Sequence, residues 1–207
     1  MLLALHKPYG VLSQFSREGD HRVLADFGPF PRDVYPVGRL DADSEGLLLL
    51  TDDPHLLHRL TEPKFGHERV YLAQVERTPS TEAIEKLAAG VQIGDYVTRP
   101  AIVRLLGEDP AVGERPVPIR FRKNVPTRWL ELRLTEGKNR QVRRMTAAAG
   151  HPAVRLVRTG VLFLTIEGLA PGEWRELTEH EERRLRAVVG PPPAGARRPH
   201  SQRFLRR

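Results

Sequence analysis

Gly38-Arg39-Leu40-Asp41-Ala42-Asp43-Ser44-Glu45-Gly46-Leu47-Leu48-Leu49-Leu50-Thr51-Asp52-Asp53 runs a polar, carboxylate-rich loop straight into an apolar strand at Gly46–Thr51. A rigid strand that anchors a reactive loop is a common way to position a catalytic group. Calcium is a competing reading. Asp41, Asp43, Glu45, Gly46 and Asp52 fall on positions 1, 3, 5, 6 and 12 of an EF-hand loop. Position 12 is then Asp rather than Glu, position 9 is Leu49, and the leucine run belongs in a core, so calcium is set aside. A plain turn with solvated acids remains open on chemistry alone.

Working outward, Leu2–His6 reads as a short strand and Asp33–Asp41 as a loop, since Pro36 and Gly38 disfavour regular structure. Asp53–Leu60 is expected as a short helix and Glu68–Glu76 as a strand. Ser80 caps a helix to Ala89, which Gly90 ends. Pro100–Leu106, Pro118–Arg122 and Arg128–Thr135 read as strands. In the last, Leu130, Leu132 and Leu134 take one face, and Trp129, Glu131 and Arg133 the other. Asn139–Ala149 is expected as a helix closed by Gly150, and Ala153–Leu164 as one or two strands. Thr178-Glu179-His180-Glu181 is a capping box opening a helix to about Val189. Many strands with few intervening helices predict an α+β fold with a mixed or antiparallel sheet.

With 207 residues, 40% apolar and 29% charged, the chain can bury a core without staples. It has no cysteine, which excludes a disulfide scaffold, a zinc ribbon and a cysteine nucleophile, and which fits a reducing compartment. No apolar run approaches the roughly 18 residues of a membrane span, and the N-terminus lacks the pattern of a signal peptide. A cytoplasmic protein with no membrane partner is expected. Net charge is +7, unevenly placed: residues 120–160 hold 11 Arg/Lys against 2 Glu, and residues 190–207 hold 5 Arg and no acid. The remainder is acidic. A basic segment of this density suits a polyphosphate partner, and Trp129 and Phe121 within it are candidates to pack on bases or sugars. The Pro/Gly/Arg composition of 190–207 is too poor in apolar residues to fold, so a disordered basic tail follows a domain at 1–189.

Glu136-Gly137-Lys138-Asn139-Arg140-Gln141-Val142-Arg143-Arg144-Met145 is not a P-loop, because the glycine spacing and the following Ser/Thr are missing. On a helix, Val142, Met145 and Ala149 face the core while Arg140 and Arg144 share another face. Arginines at a helix start oppose the dipole, so they call for an anion: a substrate phosphate or a carboxylate such as Asp41. Tyr71, on the strand face of Ala73 and Val75, is by default a core residue. No histidine pair has metal-ligand spacing, and no Gly-x-Ser-x-Gly elbow is present.

Together these segments resemble the pseudouridine synthases of the RsuA family, closest to its RluE subgroup, which modify ribosomal RNA. The carrying runs are Lys7–Ser16, Val37–Thr51, Val70–Glu76 and Leu134–Ala147. Pro126–Leu130 and Gly168–Leu177 favour the subgroup that acts on large-subunit (23S) rRNA. Many relatives place a small RNA-binding domain before the Lys-Pro run. That run starts here at residue 7, so that domain is expected to be absent. Thr159-Gly160-Val161 departs from the more usual Ile-Gly.

The resemblance implies a central mixed, largely antiparallel sheet with peripheral helices, and an active-site cleft across it. It implies isomerisation of a uridine in RNA by base flipping, with no cofactor and no metal. By resemblance Asp41 is the essential carboxylate, and Arg143 pairs with it and holds it ionised. Tyr71 packs on the target base, and Arg39 fills the gap that the flipped nucleotide leaves. Lys138, Arg140 and Arg144 are expected to contact RNA, and Leu162 or Leu164 to line the uracil pocket. A monomer is expected.

Overall fold

The computed structural model describes residues 1–115, 117–119 and 125–191. Chain order runs β1 (Leu2–Lys7), β2 (Val11–Leu12), β3 (Arg22–Val23), β4 (Tyr35–Pro36), β5 (Glu45–Thr51), α1 (Pro54–Thr61), β6 (Arg69–Glu76) and α2 (Thr81–Ala89). It continues through β7 (Gln92–Ile93), β8 (Tyr96–Val97), β9 (Ile102–Leu105), β10 (Thr127–Leu134), α3 (Gln141–Ala148), β11 (Ala153–Val161), β12 (Leu164–Thr165), β13 (Trp174–Glu176) and α4 (Glu179–Val189).

One nine-stranded sheet dominates, in the order β13-β1-β5-β11-β6-β10-β9, with β4 beside β5 and β12 beside β11. Its pairings are antiparallel except at one seam. There β5 and β11 run parallel over Val157–Glu45 and Arg158–Gly46 alone. The α+β fold with a mixed, largely antiparallel sheet is thus the observed one. The loop that carries Asp41 enters β5 at this seam.

Strand alternation assigns the two faces. On one, Leu2 and Ala4 of β1 and Leu47 and Leu49 of β5 pack with Leu56 and Leu60 of α1 and Leu185 and Val189 of α4. On the other, Leu3, Leu5, Leu48 and Leu50 pack with Leu40, next to Asp41. Farther along that second face, Leu130, Leu132 and Leu134 of β10 lie under Leu87 of α2 and Val142 and Met145 of α3. Tyr71 touches both of these second-face clusters, so it sits where they meet across the seam.

The caps read from the sequence are present: Asp53 and Ser80 accept from the first-turn amides of α1 and α2, and Thr178 and Glu181 form a reciprocal box on α4. Two expectations fail. The strand read at 118–122 is not a strand at 118 and 119, and residues 120–122 lie outside the described ones. Trp129 is not available to a base. It is 5% exposed and packs with Leu72, Val112 and Val157, because this sheet is covered on both faces and alternation alone does not tell a wet face from a dry one. Phe121 and tail residues 192–207 lie outside the described residues. No described helix is long and apolar enough to cross a membrane.

Candidate active site

Asp41 sits in a tight turn closed by the Ser44 amide donating to the Asp41 carbonyl at 3.0 Å. The Gly10 amide donates to Ala42 O at 2.7 Å and ties the turn to the Lys7–Gly10 segment. Ser13 Oγ donates to Leu40 O at 2.7 Å and accepts from Leu40 N at 3.0 Å, which fixes the turn from the other side. The Asp41 carboxylate remains 37% exposed, so it can meet a substrate.

Downstream, Gly46 lets the seam close. Its φ is +110°, and a Cβ there would lie 2.2 Å from the Arg158 carbonyl oxygen, so only glycine allows this approach of β5 to β11.

The Glu136–Arg140 segment supplies the cations. Glu136 is buried and accepts from Tyr96 Oη, from the Arg99 amide at 2.9 Å and from Gln141 Nε2. Burial pushes the Glu136 carboxyl up, but these bonds and the Arg99 charge outweigh it and keep it below the usual carboxylate range. This hub fixes the start of α3, where Arg140 adopts a left-handed conformation at φ 48°, ψ 35°. Asn139 and Arg140 therefore precede the helix, contrary to the expected start at 139.

The partners of the arginines also differ from expectation. Arg143 holds Asp43 rather than Asp41. Its Nη2 donates to Asp43 O at 2.6 Å, its Nη1 to Ala153 O at 3.0 Å, and its Nε stands 3.4 Å from Asp43 Oδ2 as an ion pair. Arg140 is the arginine beside Asp41, with Nη1 3.3 Å from Asp41 Oδ2, and it also grips Asp43 in a fork at 3.1 and 2.7 Å. The left-handed Arg140 lies before the helix, so helical spacing did not give its direction. Burial pushes the Asp43 carboxyl up, yet the Arg140 bonds and the Arg143 charge prevail and hold it low. The Asp43 bond raises Arg140, and burial lowers Arg143.

The remaining candidates are dispersed. Arg39 is exposed beside the Asp41 turn. Lys138 Nζ lies 4.4 Å from the centre of the Tyr96 ring, and the Arg144 guanidinium lies over Gly94 in the β7–β8 turn, away from Asp41. Leu164 is 2% exposed in the core under α1 and α4, and Leu162, half-buried at φ 56°, packs against that same core. Neither leucine is on the face of Tyr71. Among the described residues no three His, Cys, Asp or Glu gather as a metal-holding group.

Composition and motif reading did not single out Lys7. It is fully buried, and its Nζ donates to Pro8 O at 2.9 Å and to Val11 O at 2.7 Å beneath the Asp41 turn. Burial depresses its ammonium to about 7, against the attraction of Glu45, Asp43 and Asp41. An unfolded chain keeps this proton to about 10.5, so between these values the unfolded state binds more protons. Lys7 thus adds a rise of unfolding free energy with pH, absent below about 7 and complete above 10.5. Urea denaturation at pH 7 and 9 should show a larger gain for the parent than for Lys7→Met; equal gains would refute the assignment.

A second expectation concerns the arginines. Arg143→Ala should cut turnover by about 100-fold with a smaller loss of affinity, because misplacing a reacting group by an ångström costs that much. Arg144→Ala should weaken RNA binding and leave saturated turnover in place. Single-turnover kinetics against RNA concentration separate the two, and parallel losses in both variants would contradict this geometry.

The sequence model described as RNA pseudouridylate synthase matches residues 1–148. The chain is 52% identical over 177 residues to "Ribosomal large subunit pseudouridine synthase E" of Xanthomonas campestris pv. campestris, covering 84% of this chain and 94% of that protein. It is 40% identical over 186 residues to "Ribosomal large subunit pseudouridine synthase B" of Bacillus subtilis, covering 89% of this chain and 71% of that protein. A structure titled "Crystal structure of pseudouridylate synthase" superposes with a TM-score of 0.73 at 29% identity, covering 89% of this chain and 73% of the other. With the family matched over most of the chain, including the turn of Asp41, the strand of Tyr71 and the start of α3, the chain belongs to the RNA pseudouridylate synthases.

Proposed function

We propose that this protein isomerises a uridine of ribosomal RNA to pseudouridine, with large-subunit 23S rRNA as the substrate. The observation that carries the reading is the accessible Asp41 carboxylate on a turn tied down from both sides, within a matched family region. The relatives' names, ribosomal large subunit pseudouridine synthases, support the substrate.

In this reaction the bond from C1′ to N1 breaks, the uracil turns, and C1′ bonds to C5. The C5 proton is lost and N1 gains one. No redox change or group donor is involved. The target must leave its stack, so the protein offers a base-packing ring and cations for the backbone. Asp41 is the reacting carboxylate, Tyr71 packs on the base, and Arg39 occupies the vacated stack. Arg143 is a positioning residue that holds the Asp41–Asp43 turn through the Asp43 carbonyl. Arg140 supplies the charge beside Asp41, and Lys138 and Arg144 add to the field for phosphates. One carboxylate suffices, because no activated water is required. The protein is read as a cytoplasmic monomer with a catalytic domain at 1–189 and a basic tail that tethers RNA.

Mapping pseudouridine in rRNA from cells with and without the protein tests the substrate: one or a few large-subunit sites should disappear. Purified protein should modify the same rRNA with no added cofactor and in the presence of EDTA. An EDTA block relieved by a divalent ion on prefolded RNA would overturn this mechanism.

A further inference from the structure

Two arginines on the Tyr71 face have no role in this scheme. Arg158 of β11 stands opposite both Gly46 and Tyr71 in the strand register, and Arg69 lies two residues before Tyr71 on the same face of β6. Arg158 is 4% exposed and its Nε donates to Leu47 O at 2.8 Å. Among the described residues its Nη1 and Nη2 have no acceptor. Among the described residues the enclosed side-chain polar atoms lacking a hydrogen-bond partner are His6 Nε2, Ser44 Oγ, His67 Nε2, Arg115 Nε and Arg143 Nε, so the free Nη groups of Arg158 keep an opening to solvent.

Arg69 donates to Leu60 O at 3.1 Å and His67 O at 3.3 Å, and its guanidinium lies beneath Gly137, within 3.9 Å of where a Cβ would stand. A guanidinium has five donors, so Arg69 keeps three and Arg158 four. Neither makes an ion pair among the described residues. The two are close enough that, after burial, the charge of Arg158 is among the influences lowering Arg69, while Tyr71 acts the other way. Two desolvated cations with directed, unused N–H groups are costly without an anion.

We propose that Arg69 and Arg158 form an anion site flanking Tyr71 that takes one backbone phosphodiester of the bound RNA beside the flipped uridine. The inference rests on the proposed function. A planar fork suits a phosphate bidentately, and a formal negative charge answers two cations where a neutral uracil carbonyl does not. The site would draw the phosphate to the sheet while Tyr71, between the two arginines, meets the base.

The test uses the full chain and an rRNA fragment that it modifies, made as a series with one neutral methylphosphonate linkage each. For the parent protein, one linkage next to the target should cost about tenfold in affinity, the scale of a hydrogen bond to a charged group. In Arg69→Gln and Arg158→Gln that same linkage should cost nothing further, and Arg158→Lys should recover part of the effect. Each Gln variant should also flatten the dependence of log affinity on log salt by about 0.7–0.9. Arg158 is buried, so a misfolded Arg158→Gln leaves the decision to Arg69→Gln. An active parent whose linkage effects persist undiminished in the folded variants overturns the inference alone. A parent that modifies no rRNA overturns the proposed function with it.

Discussion

Replacing Asp41 by Asn is expected to take turnover below about 1% of the parent's, while the fold and RNA affinity stay in place. Removing a single preorganised polar group from an active site costs about 10²–10³ in rate, and the neighbouring Asp43 carboxylate is already held by Arg140 and Arg143. The turn itself should survive. It is held by the main-chain bonds of Ser44 and Gly10 and by the Ser13 hydroxyl on Leu40, and none of these uses the Asp41 carboxylate. Asn keeps the side-chain volume and loses only the charge facing Arg140 at 3.3 Å, an exposed ion pair of small worth to stability. Tritium release from C5-labelled uridine RNA, alongside a binding isotherm and a melting curve, reads all three quantities. Activity above a few per cent of the parent's would remove Asp41 from its role. A collapse of the melting curve would mean that the turn depends on a carboxylate contact absent from this geometry.

The sequence made legible what local physics decides. The alternation of Leu130, Leu132 and Leu134, the caps at Asp53, Ser80 and Thr178, and the passage from acidic loop to leucine strand all appear where expected. Contacts between distant segments were not legible. Arg143 was expected on Asp41 by resemblance, two residues from its actual partner Asp43, and a motif match names a residue without fixing which of two nearby carboxylates it reaches. Arg140 came closer than its helical position implied, because it precedes the helix in a left-handed conformation. Leu162 or Leu164 was expected, by resemblance alone, to line the uracil pocket, and both pack against the α1–α4 core on the face away from Tyr71. Lys7 carried a signal that went unused: it closes a strand opened by the apolar run Leu2–Leu5, where a buried cation needs carbonyl acceptors.

Glu45 is the other residue whose loss should be severe, and here the expected effect is on stability. Glu45 begins β5 directly after the Asp41 turn, and its carboxylate takes a fork from Arg155 Nε at 2.9 Å and Nη2 at 2.8 Å. Arg155 also donates to Val112 O at 3.3 Å and Gly113 O at 3.1 Å, so the pair joins three segments. Both side chains are buried, and truncating one strands the other's charge away from water. Glu45→Ala should therefore cost about 3–5 kcal/mol. In a domain of this size that is a fall in Tm of roughly 6–20 °C, measurable by calorimetry. A shift under about 2 °C would show that Arg155 finds another partner or water. Replacing both residues, as Glu45→Leu with Arg155→Met, should recover most of the loss, because a buried pair is rarely better for stability than apolar residues that fill its space. The double variant then separates stability from function. If it melts like the parent yet turns over rRNA slowly, the fork serves to hold the turn of Asp41 at the seam where β5 meets β11. If it melts and turns over like the parent, the main-chain bonds of Gly10 and Ser44 and the Ser13 hydroxyl are sufficient to aim the carboxylate.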